Sequence, residues 1–427
     1  MFSGILKAVR RNPFLFYIAA IASMSNGFVL PFLKQINVEI TNSYTILCIG
    51  EALFIVSLAI MGVVWGIGFD KTNNKKLLMF LALECVAVFV FLTSIASKPS
   101  EYLILRLLTG FFLSAIYAYA MSIVVIEYVP GERINTYMLV YLFMNIGVGI
   151  GIAMGAFLSK VIDWRNIVRF YALLLGINSP AILLSDNPKQ YADKNEWGLL
   201  VGLYQILSVR TNIIIMLQGF FGCIPWGAIG LFIVYALMEK TGGGFISVGA
   251  ILALGGLFYP FSLAVAPRMD RMRERGEYIG ITTITGMIIL LQAILFVIFI
   301  LLPLPKIQQT DNVISEMVSV ARLLGNRQVL LSLIIYGLFI FVASIPGPVT
   351  RNIIADVNDQ DKVATTVMMV RLMESLGNAF GLIIAGLIID FYGRFISALE
   401  AIWVAWIICG GIWFLLGRYY QEDVVNG

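Results

Sequence analysis

A small set of ionisable side chains interrupts the long apolar stretches of this sequence. Its members are Glu51, Glu84, Arg106, Arg169, Arg371 and Glu374. If these stretches cross a bilayer, a charge at the centre of a helix costs about 2.5–3.5 kcal/mol on insertion scales, which disfavours an unpaired, lipid-facing charge. A carboxylate inside a membrane can also take up and release a proton, which is the usual basis of proton coupling. The candidate proton-coupling residues are therefore Glu51, Glu84, Arg371 and Glu374.

The positions of these residues predict two ion pairs. Glu51 and Arg106 both lie towards the outside end of their predicted helices, so they could form one buried pair. Arg371 and Glu374 are three residues apart, which places them on one face of a helix. This second pair has two interpretations, because its charges can take part in proton coupling or can simply neutralise each other.

Residues needed for many kinds of enzyme chemistry are missing from the chain. Histidine is absent, which excludes a His-ligated metal, a His-based catalytic triad and a His pH switch. The four cysteines are Cys48, Cys85, Cys223 and Cys409. They lie in apolar stretches without CxxC or CxxH spacing, which is typical of small buried side chains. No Walker A, GxSxG or HExxH motif occurs. The sequence predicts neither an enzyme nor a bound metal or cofactor.

The composition indicates which elements must position these side chains. The chain has 427 residues, of which 60% are hydrophobic and 13% charged, and its mean hydropathy is +0.91. A soluble protein has about 45–50% apolar and about 25% charged residues, whereas this chain could supply about twelve spans of about 20 residues each. A water-soluble enzyme and a disordered chain are excluded. A nucleic-acid binder is excluded too, because the net charge of +4 is small and scattered.

Apolar runs separated by polar clusters predict an all-α membrane protein with twelve transmembrane helices. The predicted spans are 13–33, 44–68, 76–97, 102–128, 135–159, 166–185, 211–238, 245–266, 278–302, 329–350, 363–389 and 396–417. A long polar break covers residues 186–210, with six helices on either side. The expected domains are an N-terminal six-helix bundle in 1–185, a cytoplasmic linker in 186–210 and a C-terminal six-helix bundle in 211–427.

Lysine and arginine concentrate in alternate loops. With the N-terminus inside, 17 of the 29 basic residues fall in cytoplasmic segments and 9 in outside segments. Cytoplasmic loops of membrane proteins carry such an excess. The bias predicts a multi-pass protein of the cell membrane with both termini in the cytoplasm.

The two predicted halves repeat each other as pseudo-symmetric bundles. An offset of 200 matches Gly27 to Gly227, Asp70-Lys71 to Asp270-Arg271, and Lys75 to Arg275. An offset of 229 matches Glu127 to Asp356, Arg133 to Lys362, and Trp164-Arg165 to Gly393-Arg394. The extra residues of the second half are assigned to an extracytoplasmic insertion near 303–328, for which a lid and a partner-docking surface are equal alternatives. Internal repeats of this kind are typical of secondary transporters.

At these residues the chain resembles the major facilitator superfamily over essentially its whole length. The family's loop signature, G-x-x-x-D-R/K-x-G-R/K-R/K, is met by Gly66, Asp70, Lys71 and Lys75 and departs at Asn73 and Asn74. Arg106 and Gly110 are similar to its R-x-x-x-G pattern in helix 4. A glycine run in helix 5 is similar to the family's fifth-helix motif. These glycines either form a surface along which the two halves slide or allow static close packing. This run is Gly147, Gly149, Gly151 and Gly155.

The resemblance implies a substrate cavity lined by helices 1, 4, 7 and 10. The residues so assigned are Asn26, Arg106, Tyr117, Gln218, Trp226 and Tyr336. Pro225-Trp226-Gly227 and Pro346-Gly347-Pro348 predict breaks in helices 7 and 10 that expose backbone groups to such a cavity. Each aromatic residue could instead be ordinary packing. Glu84 ranks below Glu51, because helix 3 is peripheral in the family.

The resemblance also implies a gating role for charged loop residues. These residues are Gly66, Asp70, Lys71, Lys75, Asp270 and Arg271. In the family such clusters hold the outward-open state and separate as the protein switches. The alternative is a solvated, positively charged cytoplasmic loop.

Together these features predict a secondary active transporter that moves a small organic solute by alternating access, coupled to protons as a symporter or antiporter. One alternative is a lipid or multidrug exporter of the same fold with a mainly apolar cavity. An alternative of another class is a non-transporting receptor or scaffold. The expected partners are a small-molecule substrate, the lipid bilayer and protons, with no nucleic acid and no second copy of the chain.

The predicted orientation determines which side of the membrane a thiol reagent must approach from. In a background with the native cysteines replaced by serine, Asp70→Cys should react with a membrane-impermeant maleimide only from the cytoplasmic side. Lys34→Cys, in a predicted outside loop, is the matched control and should react only from the outside. Labelling of position 70 from outside would overturn the orientation.

Overall fold

Helices account for almost all of the structure. The computed structural model describes residues 10–27, 30–72, 74–127, 130–159, 161–184, 199–259, 261, 265–306, 320 and 324–426, and no β-strand occurs among them. The chain divides into two compact units, Met1–Lys194 and Asn195–Gly427, which we call the N unit and the C unit. Most of the predicted insertion at 303–328 lies outside the described residues.

Six helices build the described part of the N unit. They are α1 (Pro13–Gly27), α2 (Tyr44–Lys71), α3 (Lys75–Thr93), α4 (Pro99–Glu127), α5 (Pro130–Leu158) and α6 (Trp164–Asn178), which a 3-10 turn continues over Ser179–Leu184. Between α1 and α2 lie a 3-10 turn, a short helix and a π-helix, at Leu30–Phe32, Leu33–Ile36 and Asn37–Thr41. The Ser43 hydroxyl accepts a hydrogen bond from the Ile46 N–H at 3.3 Å and so caps the start of α2.

The long helices of the C unit follow in the same order. They are α7 (Arg210–Thr241), α8 (Phe245–Gly256), α9 (Tyr278–Leu301), α10a (Arg327–Ala343), α10b (Pro346–Val357), α11 (Gln360–Tyr392), α12a (Phe395–Ile402) and α12b (Val404–Asn426). Two shorter helices, Leu199–Ser208 and Ala266–Glu274, precede α7 and α9. Helices α7 and α11 both end at a glycine with positive φ, Gly242 at 72° and Gly393 at 69°. Glycine adopts this left-handed conformation without the cost of a Cβ clash, so it commonly ends helices.

Length and apolar composition identify the membrane-spanning segments. Among the described residues, nine helices are long and apolar enough to cross a membrane, and shorter apolar helices lie at Pro13–Met24, Leu142–Leu158 and Phe245–Gly256. Each of these segments overlaps one of the predicted spans. The predicted all-α membrane fold is therefore confirmed.

Two proline motifs affect their helices differently. Helix α7 runs through Pro225 without a break, so the predicted break at Pro225-Trp226-Gly227 is wrong. A proline inside a helix removes one backbone hydrogen bond, and here the packing of α7 against α11 and α12b keeps the helix continuous. The chain does break between α10a and α10b, immediately before Pro346.

The predicted span 245–266 is wrong at its C-terminal end, because α8 stops at Gly256. Two consecutive glycines, Gly255 and Gly256, weaken the helix there. The Phe258 N–H instead donates to the Gly255 carbonyl at 3.2 Å, a hydrogen bond of the 3-10 type that tightens the last turn.

The helix pairs that pack in the N unit also pack in the C unit. In the N unit these pairs are α1 with α5, α1 with α6, α2 with α4, α3 with α4, and α3 with α6. In the C unit they are α7 with α11, α7 with α12b, α8 with α10a, α9 with α10a, and α9 with α12b. Each C-unit pair is the N-unit pair shifted by six helices. The repeat seen in the sequence is therefore also a repeat of packing.

Matched glycines allow close contacts between helix backbones in both units. A Cβ on any of these glycines would overlap a backbone carbonyl of the partner helix. The N-unit contacts are Gly27 with Val148, Gly147 with Ala20, and Gly151 with Met24. The C-unit contacts are Gly227 with Asn378, Gly377 with Phe220, and Gly381 with Ile224. Along α11 the match is one residue further than the offset of 229 predicted from the charges. These contacts favour close packing over sliding for Gly147 and Gly151.

The glycine contacts predict a position-specific cost of a single methyl group. Gly147→Ala and Gly377→Ala should each destabilise the protein by about 1–3 kcal/mol, because overpacking forces the two helices apart. Gly149→Ala is the matched control, since a Cβ on Gly149 would meet no atom of another helix within 4 Å. Thermal unfolding of purified protein in detergent measures the difference. Equal melting temperatures for all three variants would contradict the close contact.

Candidate functional site

A buried ion pair joins α2 and α4 in the N unit. The Arg106 guanidinium donates through Nη2 to the Glu51 carboxylate, and the Tyr102 hydroxyl donates to Glu51 Oε1 at 2.5 Å. The exposed fractions are 7% for Glu51, 3% for Arg106 and 0% for Tyr102. The carboxylate therefore has one charged and one neutral donor and is shielded from bulk water in this conformation.

Helical spacing and a small residue bring these side chains together. Tyr102 and Arg106 are four residues apart on α4, so they lie on one face of that helix. A Cβ on Gly110 would overlap the carbonyl oxygen of Phe54 on α2, so the two backbones approach closely beside the pair. The Phe54 ring centroid lies 4.2 Å from Arg106 Cζ, which is a cation–π contact.

The guanidinium keeps unused hydrogen-bonding capacity. Arg106 Nε is buried and has no hydrogen-bond partner in the described part of the chain, although arginine carries five N–H donors. While Glu51 is ionised, the pair is neutral overall. If Glu51 takes up a proton, Arg106 becomes a lone buried cation, which is costly unless water or another acceptor reaches it. A change of charge at Glu51 would therefore change the surroundings of the adjacent Arg106.

The other proton-coupling candidates lie elsewhere. Glu84 on α3 accepts a hydrogen bond from the Ser179 hydroxyl, where α6 changes into its 3-10 turn. Arg371 and Glu374 pair with each other on α11, with 3.1 Å between Arg371 Nη1 and Glu374 Oε2. The Arg371 side chain is 45% exposed, so this pair is less buried than the pair of Glu51. The four candidates occupy three separate places.

Two cavity candidates of α7 make contacts within the C unit. Gln218 Oε1 accepts a hydrogen bond from Trp413 Nε1 at 3.0 Å. The ring centroid of Trp226 lies 5.6 Å from that of Phe339 and 5.8 Å from that of Trp406. Both side chains therefore contribute to packing between α7 and its neighbours.

The remaining cavity candidates are distributed over both units. Tyr336 packs its ring against Gly255, and its centroid lies 5.8 Å from that of Phe339. It therefore belongs to the aromatic cluster around Trp226. Tyr117 is half-buried on α4, and the side chain of Asn26 lies outside the described residues.

The gating candidates are only partly described. The side chains of Asp70, Lys71 and Asp270 lie outside the part of the chain that the structure describes, and Gly66 has open space around it. Lys75, the first residue of α3, is 4% exposed. It is therefore a buried residue rather than part of a solvated loop. Arg271 is exposed.

A polar cluster in the C unit was missed by sequence reasoning. The Asp356 carboxylate on α10b accepts hydrogen bonds from the Arg273 guanidinium and the Tyr420 hydroxyl, which connects α10b to the helix before α9 and to α12b. Asp356 matches Glu127 in the repeat, which is the signal that could have pointed to it. The choice of Arg273 among several neighbouring arginines depends on helix rotation, which the sequence pattern does not define.

Across the described ranges, no group of three or more His, Cys, Asp or Glu side chains could hold a metal ion. None of the four cysteines forms a disulfide; Cys48 and Cys409 are buried, and Cys85 and Cys223 are half-buried.

Comparison with known proteins identifies the fold. The bacterial homologue of the human lysosomal transporter Spinster, inward-facing and unoccupied, has a TM-score of 0.71 at 14% identity, covering 97% of this chain and 98% of that chain. The nucleoside transporter NupG has a TM-score of 0.65 at 14% identity, and the match covers 96% of this chain and 98% of NupG. The E. coli fucose:proton symporter FucP has a TM-score of 0.58 at 14% identity, and the match covers 95% of this chain and 97% of FucP. No curated protein sequence matches this chain. At these identities the likeness shows the fold alone.

The sequence itself also matches a family. The model of the Major Facilitator Superfamily matches residues 15–338, which is more than half of the chain. The resemblance noted from the sequence motifs is confirmed. This multi-pass membrane protein therefore belongs to the major facilitator superfamily and is a secondary transporter rather than an enzyme.

Proposed function

We propose that this chain moves a small organic solute across the membrane by alternating access and couples that movement to protons at Glu51. The observation that carries the proposal is the buried ion pair of Glu51 and Arg106, with Tyr102 as a second donor to the carboxylate. An ionisable group at membrane depth is expensive and is usually functional. Among the four candidate coupling residues, Glu51 is the one with a buried cationic partner on another helix.

Burial of the pair links protonation to conformation. Glu51 and Arg106 are both less than a tenth exposed, so a proton reaches the carboxylate only when α2 and α4 open enough to admit water. A protonated Glu51 leaves Arg106 without its counter-charge, which favours the conformation in which water or a solute acceptor reaches the guanidinium. Proton binding and the second conformation thus stabilise each other. This reciprocity is what a coupled transporter needs.

The fold neighbours support solute transport as the activity. They include a nucleoside transporter and a fucose:proton symporter, so this fold carries polar organic solutes and, in the second protein, protons. A lipid or multidrug exporter is the second candidate. The half-buried rings of Trp226 and Tyr336 favour it, because they add apolar surface to α7 and α10a, whereas Phe339 and Trp406, against which they pack, are buried.

The first prediction from this proposal concerns proton flux. Solutes that stabilise the purified protein, drawn from a panel of nucleosides, sugars, short carboxylates and lipids, are added to proteoliposomes loaded with a pH-sensitive dye. The wild-type protein should move protons with the solute. Glu51→Gln should abolish the proton movement and retain solute binding, because glutamine keeps the shape of the side chain without its titration.

Glu374→Gln provides the matched control for this assay. It removes another intramembrane carboxylate whose partner is a neighbour on its own helix, and proton movement should persist. Proton flux in Glu51→Gln equal to that of the wild type would remove Glu51 from the mechanism.

The second prediction concerns the energy of the pair. Arg106→Gln should destabilise the protein by about 3–5 kcal/mol, because it leaves a buried carboxylate without its cation. The double variant with Glu51→Gln should regain most of that loss, since no buried charge then remains. Denaturant unfolding in detergent gives the coupling energy. Additive losses in the double variant would mean that the two side chains do not interact.

A further inference from the structure

The repeat places one arginine in each unit at the same point, and the two arginines have different partners. Arg165 is the second residue of α6 and matches Arg394, the residue immediately before α12a, in the sequence repeat. In the N unit, Arg165 Nη1 donates to the carbonyl oxygens of Ser94 and Ala96, each at 2.9 Å. Its Nε donates to Glu39 at 3.1 Å. Arg165 is thus occupied in binding the end of α3 to the start of α6.

The corresponding contacts in the C unit are made by another residue. Lys240, at the end of α7, donates to the carbonyl oxygen of Ile300, at the end of α9. Arg394 Nε lies 3.8 Å from Glu239 Oε1, which is too long for a hydrogen bond. The Glu239 carboxylate instead accepts from the backbone N–H of Phe395 at 2.9 Å. The Arg394 side chain is 59% exposed and makes no hydrogen bond to the described residues.

A cleft of about 340 Å³ lies beside Arg394 in the C unit. It lies between the ends of α7 and α9 and the start of α12a. Four charged side chains line it, Glu239, Lys240, Arg394 and Glu400, together with the apolar Ile300 and Leu301. The volume falls in the usual range for small-ligand sites, about 300–1,000 Å³. The cleft is at the C-terminal end of α7. At the other end of that helix, the Thr211 N–H donates to the Asp423 carboxylate at 2.9 Å.

We propose that this cleft binds a zwitterionic group, with a phosphate or carboxylate on Arg394 and an ammonium near Glu400. Arg394 and Glu400 offer one cation and one anion whose charged groups make no hydrogen bond to the described residues, whereas Glu239 and Lys240 already bind backbone atoms. A simple anion would bind beside the Glu400 carboxylate and be repelled, so a ligand with both charges fits better. This inference does not depend on proton coupling at Glu51.

The position of the cleft indicates two sources for such a ligand. The ends of membrane-spanning helices lie at the depth of the lipid headgroups, and Leu301 beside the cleft is 66% exposed. A phosphatidylethanolamine headgroup carries a phosphate next to an ammonium and would place its chains along this apolar surface. The same chemistry occurs in a free zwitterion such as phosphoethanolamine. By the predicted orientation, the cleft opens on the extracytoplasmic side.

Native mass spectrometry of the purified full chain tests the proposal. The probes are phosphatidylethanolamine, phosphatidylglycerol, which lacks the ammonium, and free phosphoethanolamine. Arg394→Gln should weaken binding of phosphatidylethanolamine about tenfold, the effect of losing one charge-assisted hydrogen bond. Arg418→Gln is the matched control and should bind like the wild type, because Arg418 is an exposed arginine paired with Glu422 on α12b.

Glu400→Gln separates recognition of the zwitterion from simple attraction of an anion. This variant should bind phosphatidylethanolamine more weakly and phosphatidylglycerol more tightly than the wild type. It also serves as the test if Arg394→Gln does not fold. Competition by free phosphoethanolamine identifies a headgroup site, whereas binding of that probe alone identifies a soluble ligand. Lipid and free-probe binding unchanged in both Arg394→Gln and Glu400→Gln would overturn the proposal.

Discussion

Hydrocarbon offers no hydrogen-bond partner, and this constraint governs the whole molecule. Every polar group at membrane depth must find its partner within the chain, which is why the described spans are helical. The same constraint makes a buried charge costly unless it is paired. Glu51 and Arg106 meet this condition across two helices, with Tyr102 adding a second donor. A pair that must stay together when dry and can separate when hydrated is a physical basis for coupling a proton to a change of conformation.

The helices of the two units pack in the same way, but the polar groups on these helices differ. Matched glycines bring α1 against α5 and α7 against α11 in the same way. The pair α2 and α4 is joined by Glu51 and Arg106, whereas the corresponding pair α8 and α10a is joined by the Tyr336 ring on Gly255. The equivalent arginines Arg165 and Arg394 also differ, one bound to carbonyls and the other facing a cleft. Functional differences between the halves therefore lie in side chains on a common scaffold.

Hydropathy and charge predicted the helices and the repeat, because span length and loop charge depend on composition alone. The end of α8 and the continuity of α7 at Pro225 were mispredicted, since both depend on how neighbouring helices hold a weakened segment. The pairing of Glu51 with Arg106 could be predicted from the sequence, because both residues lie towards the outside end of their predicted helices. The sequence could not predict the contacts of Tyr102, Gln218 and Asp356, because the rotation of each helix about its axis decides which side chains meet.

The central claim is that Glu51 exchanges a proton as the transporter changes conformation. Infrared difference spectroscopy of the protein in lipid, recorded between acidic and alkaline pH, detects the carbonyl stretch of a protonated carboxyl group directly. Glu51→Gln should remove one component of the pH-dependent carboxyl band of the wild-type protein, and Glu84→Gln and Glu374→Gln should retain that component. An unchanged band in Glu51→Gln would contradict the claim.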